Sequence, residues 1–293
     1  MYMPGKAILL LIATWVFLAP ALAQGSDKPF TQPSKRERKP VNQILVVSGL
    51  KSWWNKHSCG IQETLVIKNA IKRMRKYAID ASNFLEADNS YTTAAYVAWF
   101  GVQNANPVTA KGIINNIYNP IKALGKSPLG QINELAATEG AVVIGCSRDK
   151  NECKGKRALA WAGDEAIIEL CPEFFQDLFR DEEVSVQEWQ ARRELIKTQS
   201  RTLLHEMTHL KALAGNWETD DYARSYEVPE RDNSDFGLLT YIELSRLVGL
   251  DDWHKIRNAE NYALFALDVY VNPSHAAQPV NLHSNAVIHH KLD

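Results

Sequence analysis

The stretch TLLHEMTHL, Thr202–Leu210, sets two histidines four residues apart with a glutamate directly after the first. On a helix that spacing puts His205 and His209 on one face. Two imidazole nitrogens there can bind one zinc ion without bending the backbone. Glu206 lies close enough to act on the ion's fourth position and take a proton from water acidified by the metal. Any long helical chain can hold this pattern by chance, and a surface helix with two solvated histidines is the competing reading. The apolar residues Leu203, Met207 and Leu210 around the motif argue for a helix seated on a core.

A third ligand is needed. The class of zinc peptidases with a third histidine requires His-x-x-Gly-x-x-His. Here Ala212 and Gly215 stand where the glycine and histidine should be, so that class is excluded. A glutamate from a later helix offers Glu227, Glu230 or Glu243. An aspartate soon after the motif helix offers Asp220 or Asp221, in GNWETDDYARSY at 215–226, where Gly215 can turn the chain back. The remaining histidines fit other roles. His57 reads as solvated or capping, His254 as a surface residue, and His275, His283, His289 and His290 fall near the end of the chain.

The elements that must position this motif are mostly helical. Ile61, Leu65, Ile71, Met74, Ala78 and Ile79 recur at helical spacing, which predicts a long helix with basic residues on its outer side. YTTAAYVAWFG and VTAKGIINNIYNPIKAL predict two more. The β-branched runs GAVVIGC and DEAIIELC, with RALAWAG between them, predict two or three strands of a small antiparallel sheet. Helix resumes near Val186 and runs through the motif to Gly215. DFGLLTYIELSRLVG and NAENYALFALDVYV give the last helical region. There is no internal repeat, no Gly-rich phosphate loop and no Gly-x-Ser-x-Gly elbow.

Lys6, the apolar run AILLLIATWVFLAP and the small residues Ala21 and Ala23 have the layout of a secretory signal peptide over 1–23. Residues 24–42 read as a polar linker or short pro-segment, with a dibasic pair at Lys35-Arg36. The folded domain is expected over 43–271 and a mobile tail over 272–293. The chain holds 33 basic and 34 acidic side chains, and the signal segment contains one of the lysines and none of the acids. That balance points to no nucleic acid. No stretch after the signal is apolar enough to span a bilayer. Four cysteines, Cys59, Cys146, Cys153 and Cys171, read as two disulfides in an exported chain, with three connectivities open.

Several of these segments together resemble the deuterolysin-type zinc metalloendopeptidases, the aspzincins, known as secreted fungal proteases. The resemblance covers roughly 59–270. ETDDYARSY is similar to the family's Gly-Thr-x-Asp-x-x-Tyr-Gly, with Thr219 at the threonine and Asp221 at the aspartate ligand. AWFG at 98–101, CPEFF at 171–175 and NAENYALFA at 258–266 look like further family segments.

The resemblance implies an α+β, mainly helical, zincin-like single domain holding one zinc ion on His205, His209 and Asp221, with Glu206 as general base. It also implies the pairings Cys59–Cys146 and Cys153–Cys171. Two departures stand out: Glu218 replaces a glycine, and Arg224-Ser225 replaces the family's tyrosine and glycine. Tyr226 or Arg224 is then the candidate for holding the developing oxyanion. The expectation is a secreted, monomeric zinc endopeptidase acting on proteins or peptides. An exported zinc-binding protein without turnover, such as a metal scavenger or surface antigen, is the alternative.

Overall fold

The computed structural model describes residues 40–49, 55–124, 129–154, 156, 158–160, 165–179, 198–217, 219–221, 251–271, 273–280 and 282. Its first element, β1 (Gln43–Val47), is the apolar run QILVV, which periodicity alone does not assign. Its backbone runs between two strands that come much later in the chain.

After β1 the chain reaches Cys59 and starts α1 (Ile61–Glu86) at Gly60, whose backbone N–H donates to the Glu63 carboxylate at 2.7 Å. That return bond satisfies one donor at the helix start. The helix buries Ile67, Ala70, Ile71, Met74, Tyr77, Ala78, Ala81 and Leu85 and exposes Lys68, Lys72 and Lys76. The helix and its basic outer side agree with the sequence reading, but its apolar stripe needs correction. Ile61, Leu65 and Ile79 face solvent, Ile61 at 82% exposure, because the buried face is centred on Ile67, Met74 and Ala78.

Next come α2 (Ala94–Phe100) and α3 (Pro107–Ile113), which passes through a π-helical turn (Ile114–Tyr118) into α4 (Asn119–Ala123). Asn106 caps α3 by accepting the Thr109 N–H at 2.9 Å.

Strands β2 (Gly130–Ile132), β3 (Ala141–Cys146), β4 (Ala158–Ala160) and β5 (Ile167–Leu170) complete one sheet of order β2-β1-β3-β5-β4. The fold is α+β as expected, but the sheet is mixed rather than antiparallel. β1 runs parallel to β2 and β3, and β3 parallel to β5; only β4 opposes its neighbour. Runs buried on both faces, such as AVVIGC, are what a parallel sheet requires.

The motif helix, α5 (Gln199–His209), starts at Thr198, whose Oγ1 accepts the Arg201 N–H at 3.2 Å. It stops at His209, short of the expected Gly215, because Leu210 adopts an extended backbone before α6 (Lys211–Ala214). Thr208 Oγ1 donates to the His205 carbonyl at 2.8 Å, and the Thr208 carbonyl is taken by the Thr219 N–H. Both contacts draw the last turn out of regular helix. Gly215, at φ +60°, then reverses the chain.

The described elements beyond Asp221 are α7 (Asp252–Lys255), α8 (Ala259–Val271) and α9 (Pro273–Ala276). Every residue of α8 except Tyr270 is buried, and the helix packs against α1, α2 and α5. The start of the expected mobile tail is docked: the Ala94 N–H donates to Gln278 and the Val280 N–H to Thr92. The described residues form one compact unit.

The core lies between the sheet and α1, α2, α5 and α8. A smaller cluster of Val47, Val143 and Ile167, with Leu45, Ile132 and Leu135 packed on it, covers the sheet's other side. Cys59 is bonded to Cys146 and Cys153 to Cys171, so α1 is tied to the end of β3, and β5 to the loop before β4.

Candidate metal centre

Helix α5 fixes two of the three polar groups that converge in this fold. His205 and His209 lie on its inner face, with their Nε2 atoms 3.2 Å apart. The turn at Gly215 returns the chain so that Asp221 Oδ1 stands 2.9 Å from His205 Nε2 and 3.3 Å from His209 Nε2. These three are the one group of possible metal ligands that converges among the described residues.

The return segment is held to the helix by Thr219. Its N–H donates to the Thr208 carbonyl at 3.2 Å, and its Oγ1 lies 2.7 Å from Thr208 Oγ1. Its carbonyl lies 2.9 Å from His209 Nδ1. Asp220 is not the group that converges. It is exposed, its Oδ1 accepts the Asp221 N–H, and its backbone pairs with Arg257 and Ala259 at the start of α8.

That backbone pairing brings α8 against the motif and reveals a residue that motif reading left without a role. Glu260 Oε2 lies 2.9 Å from His205 Nδ1. Both imidazoles therefore have an acceptor at Nδ1, a carboxylate for His205 and a carbonyl for His209, which leaves each Nε2 facing Asp221. This is the arrangement by which outer groups set the tautomer of a metal-binding histidine. A glutamate inside the apolar run NAENYALFALDVYV was the available signal.

Electrostatics follow from this crowding. Burial alone would push the His205 imidazole down. The hydrogen bonds to Asp221 and Glu260 and the charge of Glu206 outweigh it and hold the group up at about 10. Burial would raise the Asp221 carboxyl, yet His205 and His209 together hold it well below the usual carboxylate range. Without metal, the proton on His205 sits where a cation would.

No family model matches the chain, and no curated protein matches it. Among solved structures, the chain is similar to a zinc peptidase from Grifola frondosa. The two share 17% identity at a TM-score of 0.44, over 74% of this chain and 99% of that one. Likeness at that level decides nothing about family or activity.

Glu206 is buried on α5 beside His205. Arg224, Tyr226, Glu227, Glu230 and Glu243, and the departure at Glu218, lie outside the described residues. His254 is a partly exposed residue paired with Asp251 at 2.7 Å, close to its expected surface role. His57 needs correction. It is neither solvated nor a helix cap: its Nδ1 pairs at 2.5 Å with Glu169, a fully buried carboxylate on β5. Gly145 faces Glu169 across the strands, and a Cβ there would press on Leu135 and the His57 backbone.

The donor set of two imidazole nitrogens and one carboxylate oxygen suits zinc. Among the described residues these three alone converge, and a tetrahedral ion held by them would have a fourth position open, the pattern of catalytic rather than structural zinc.

Proposed function

We propose that this chain is a secreted zinc-dependent endopeptidase, with one ion held by His205, His209 and Asp221. The observation that carries the proposal is the convergence of those three ligand atoms with a glutamate beside them. A site for storage alone has no need of Glu206, whereas hydrolysis needs a base there. When bound, zinc supplies a Lewis acid that polarises a carbonyl and makes water easier to deprotonate. Glu206 takes one proton from the attacking water as its oxygen bonds to the carbonyl carbon. It then delivers that proton to the amine nitrogen as the C–N bond breaks.

The substrate is an extended protein or peptide segment. β4 is one of the sheet's two outer strands and packs beside α5, and among the described residues no strand pairs with its free edge. An extended chain can add to such an edge through main-chain hydrogen bonds. Arg224 or Tyr226 is the proposed donor to the developing oxyanion. Two disulfides fit an extracellular protein released by removal of residues 1–23.

One sequence observation favours a second reading, an exported zinc-binding protein without turnover. Arg224-Ser225 occupies the place where the resemblance expects a tyrosine and a glycine. Incubating the protein and its Glu206→Gln variant with unfolded casein, with and without chelator, separates the two. Under the peptidase reading both bind one zinc, only the wild type cleaves, and Glu206→Gln loses on the order of 10²-fold or more in rate. If both hold zinc and neither cleaves, the binding protein takes the peptidase's place.

A further inference from the structure

Beside the metal-binding face of α5 lies a cation that the reaction does not use. Arg201 is one turn before His205 and two turns before His209, so the three share a face of the helix. Arg201 is buried, with 7% of its surface exposed. Nη2 donates to Glu260 Oε1, while Nε and Nη1 are buried with no hydrogen-bond partner. A cation buried in the first turn of a helix is disfavoured by the helix dipole as well as by desolvation. Nothing about α5 as a helix calls for arginine there.

Glu260 has the complementary position. It is the second residue of α8, where a carboxylate suits the dipole. One of its oxygens is held by Arg201, and the other lies 2.9 Å from His205 Nδ1. A carboxylate can rotate about its last bond, and a single hydrogen bond to an imidazole does not stop it. Gripping the far oxygen fixes the carboxylate plane, which aims the near oxygen at Nδ1.

We propose that Arg201 and Glu260 form one positioning unit for the metal centre, in which Arg201 acts on His205 only through Glu260. The unit holds the ring with Nδ1–H on Glu260 and Nε2 aimed at Asp221 before any ion arrives. The proposal rests on the zinc reading above but not on peptidase activity. It also gives the stretch NAENYALFA a role beyond packing, because α8 then carries a part of the metal site as well as core.

The test is a double-mutant cycle read by zinc affinity, measured by chelator competition on the full chain at fixed pH. Arg201→Met and Glu260→Gln should each weaken zinc by about 10- to 100-fold, the usual range for outer partners of metal ligands. If Arg201 acts through Glu260, adding Arg201→Met to Glu260→Gln should change affinity by less than about threefold. Nitrogen NMR of the zinc-free protein adds a readout that a bulk packing role would not move. The His205 Nδ1–H should give a hydrogen-bonded, slowly exchanging signal in the wild type and a fast-exchanging one in Arg201→Met.

Penalties that add in the double variant, or an Arg201→Met protein with wild-type affinity, would overturn the proposal. Should Arg201→Met not fold, Arg201→Lys enters the same cycle. It keeps the charge without the planar fork, so a loss that disappears in the Glu260→Gln background supports the proposal and a persistent one overturns it. A wild type that takes up no zinc defeats the metal reading and this proposal together. A wild type that binds zinc but cleaves nothing leaves the cycle fully readable, with the peptidase reading alone defeated.

Discussion

His209 Nδ1 lies 2.9 Å from the carbonyl oxygen of Thr219, and Asp221 follows that carbonyl by two residues. One short return segment thus orients a ring of the helix and brings a carboxylate to the same point. The segment is itself clasped to Thr208 by a backbone bond and by the pair of hydroxyls. Thr219→Val, which deletes one hydroxyl at nearly constant shape, should lower zinc affinity about tenfold. Competitive titration against a chelator reads this directly, and an unchanged affinity would show that the clasp does not set the ligand geometry.

Zinc affinity should climb with pH, because the ion must displace the proton that His205 holds up to about 10. Binding should release protons, and apparent affinity should rise by up to about tenfold per pH unit across roughly pH 6–8. Calorimetry in two buffers of different ionisation enthalpy measures the release. A pH-independent affinity would contradict the assignment of His205 as a ligand.

The zinc-free protein should show its own pH profile. His205 is raised above its ordinary 6.5, so its contribution is complete below about 6.5 and is lost as pH rises through about 10. Asp221 is depressed below its ordinary 3.8, so its contribution is present above that value and disappears in stronger acid. Chemical denaturation with chelator present should therefore find these two contributions together between about pH 4 and 6.5, with stability declining toward about pH 10.

Far from the metal centre, His57→Ala should destabilise the fold by on the order of 3 kcal/mol, because it strips the buried Glu169 of its partner. The other oxygen of Glu169 already has no hydrogen bond. Adding Glu169→Leu should recover much of the loss, since an apolar group in that position carries no charge to desolvate. A double variant less stable than His57→Ala would mean the carboxylate is held by something other than the histidine.

Replacing Cys59 and Cys146 by alanine should cost more than replacing Cys153 and Cys171. The first bond closes a span of 87 residues and the second a span of 18, which in the chain-entropy picture correspond to about 4.5 and 3 kcal/mol. Denaturant midpoints of the two double variants give the comparison.

The parts of this fold legible in sequence are those with local signals. Helix α1 and the run from Pro107 to Ala123 have 3.6-residue patterning, and Gly215 marks a reversal. The spacing of His205 and His209 reports on one helix face without further context. β1 and β2 are silent because QILVV and GQI are too short for any period, and because their pairings join residues far apart in the chain. The antiparallel expectation fails for the same reason: β3 takes β1 and β5 as neighbours, and β4 stands outside them at the edge. Glu260 and Arg201 are hidden because neither belongs to the histidine motif. Each gains its meaning from the other helix.

The placement of β1 has a consequence for the order of events during synthesis. Gln43–Val47 is made early, but its neighbours in the sheet are Gly130–Ile132 and Ala141–Cys146. A chain made from its N-terminus therefore carries this strand unpaired, both edges open, through roughly a hundred residues of elongation; at roughly 5–20 residues per second that is about 5–20 s. Helix α1 can form meanwhile, whereas the strand has only itself or another nascent chain to pair with. The vulnerable moment of this protein is thus an early one, when a five-residue apolar ribbon waits for the two strands that will enclose it.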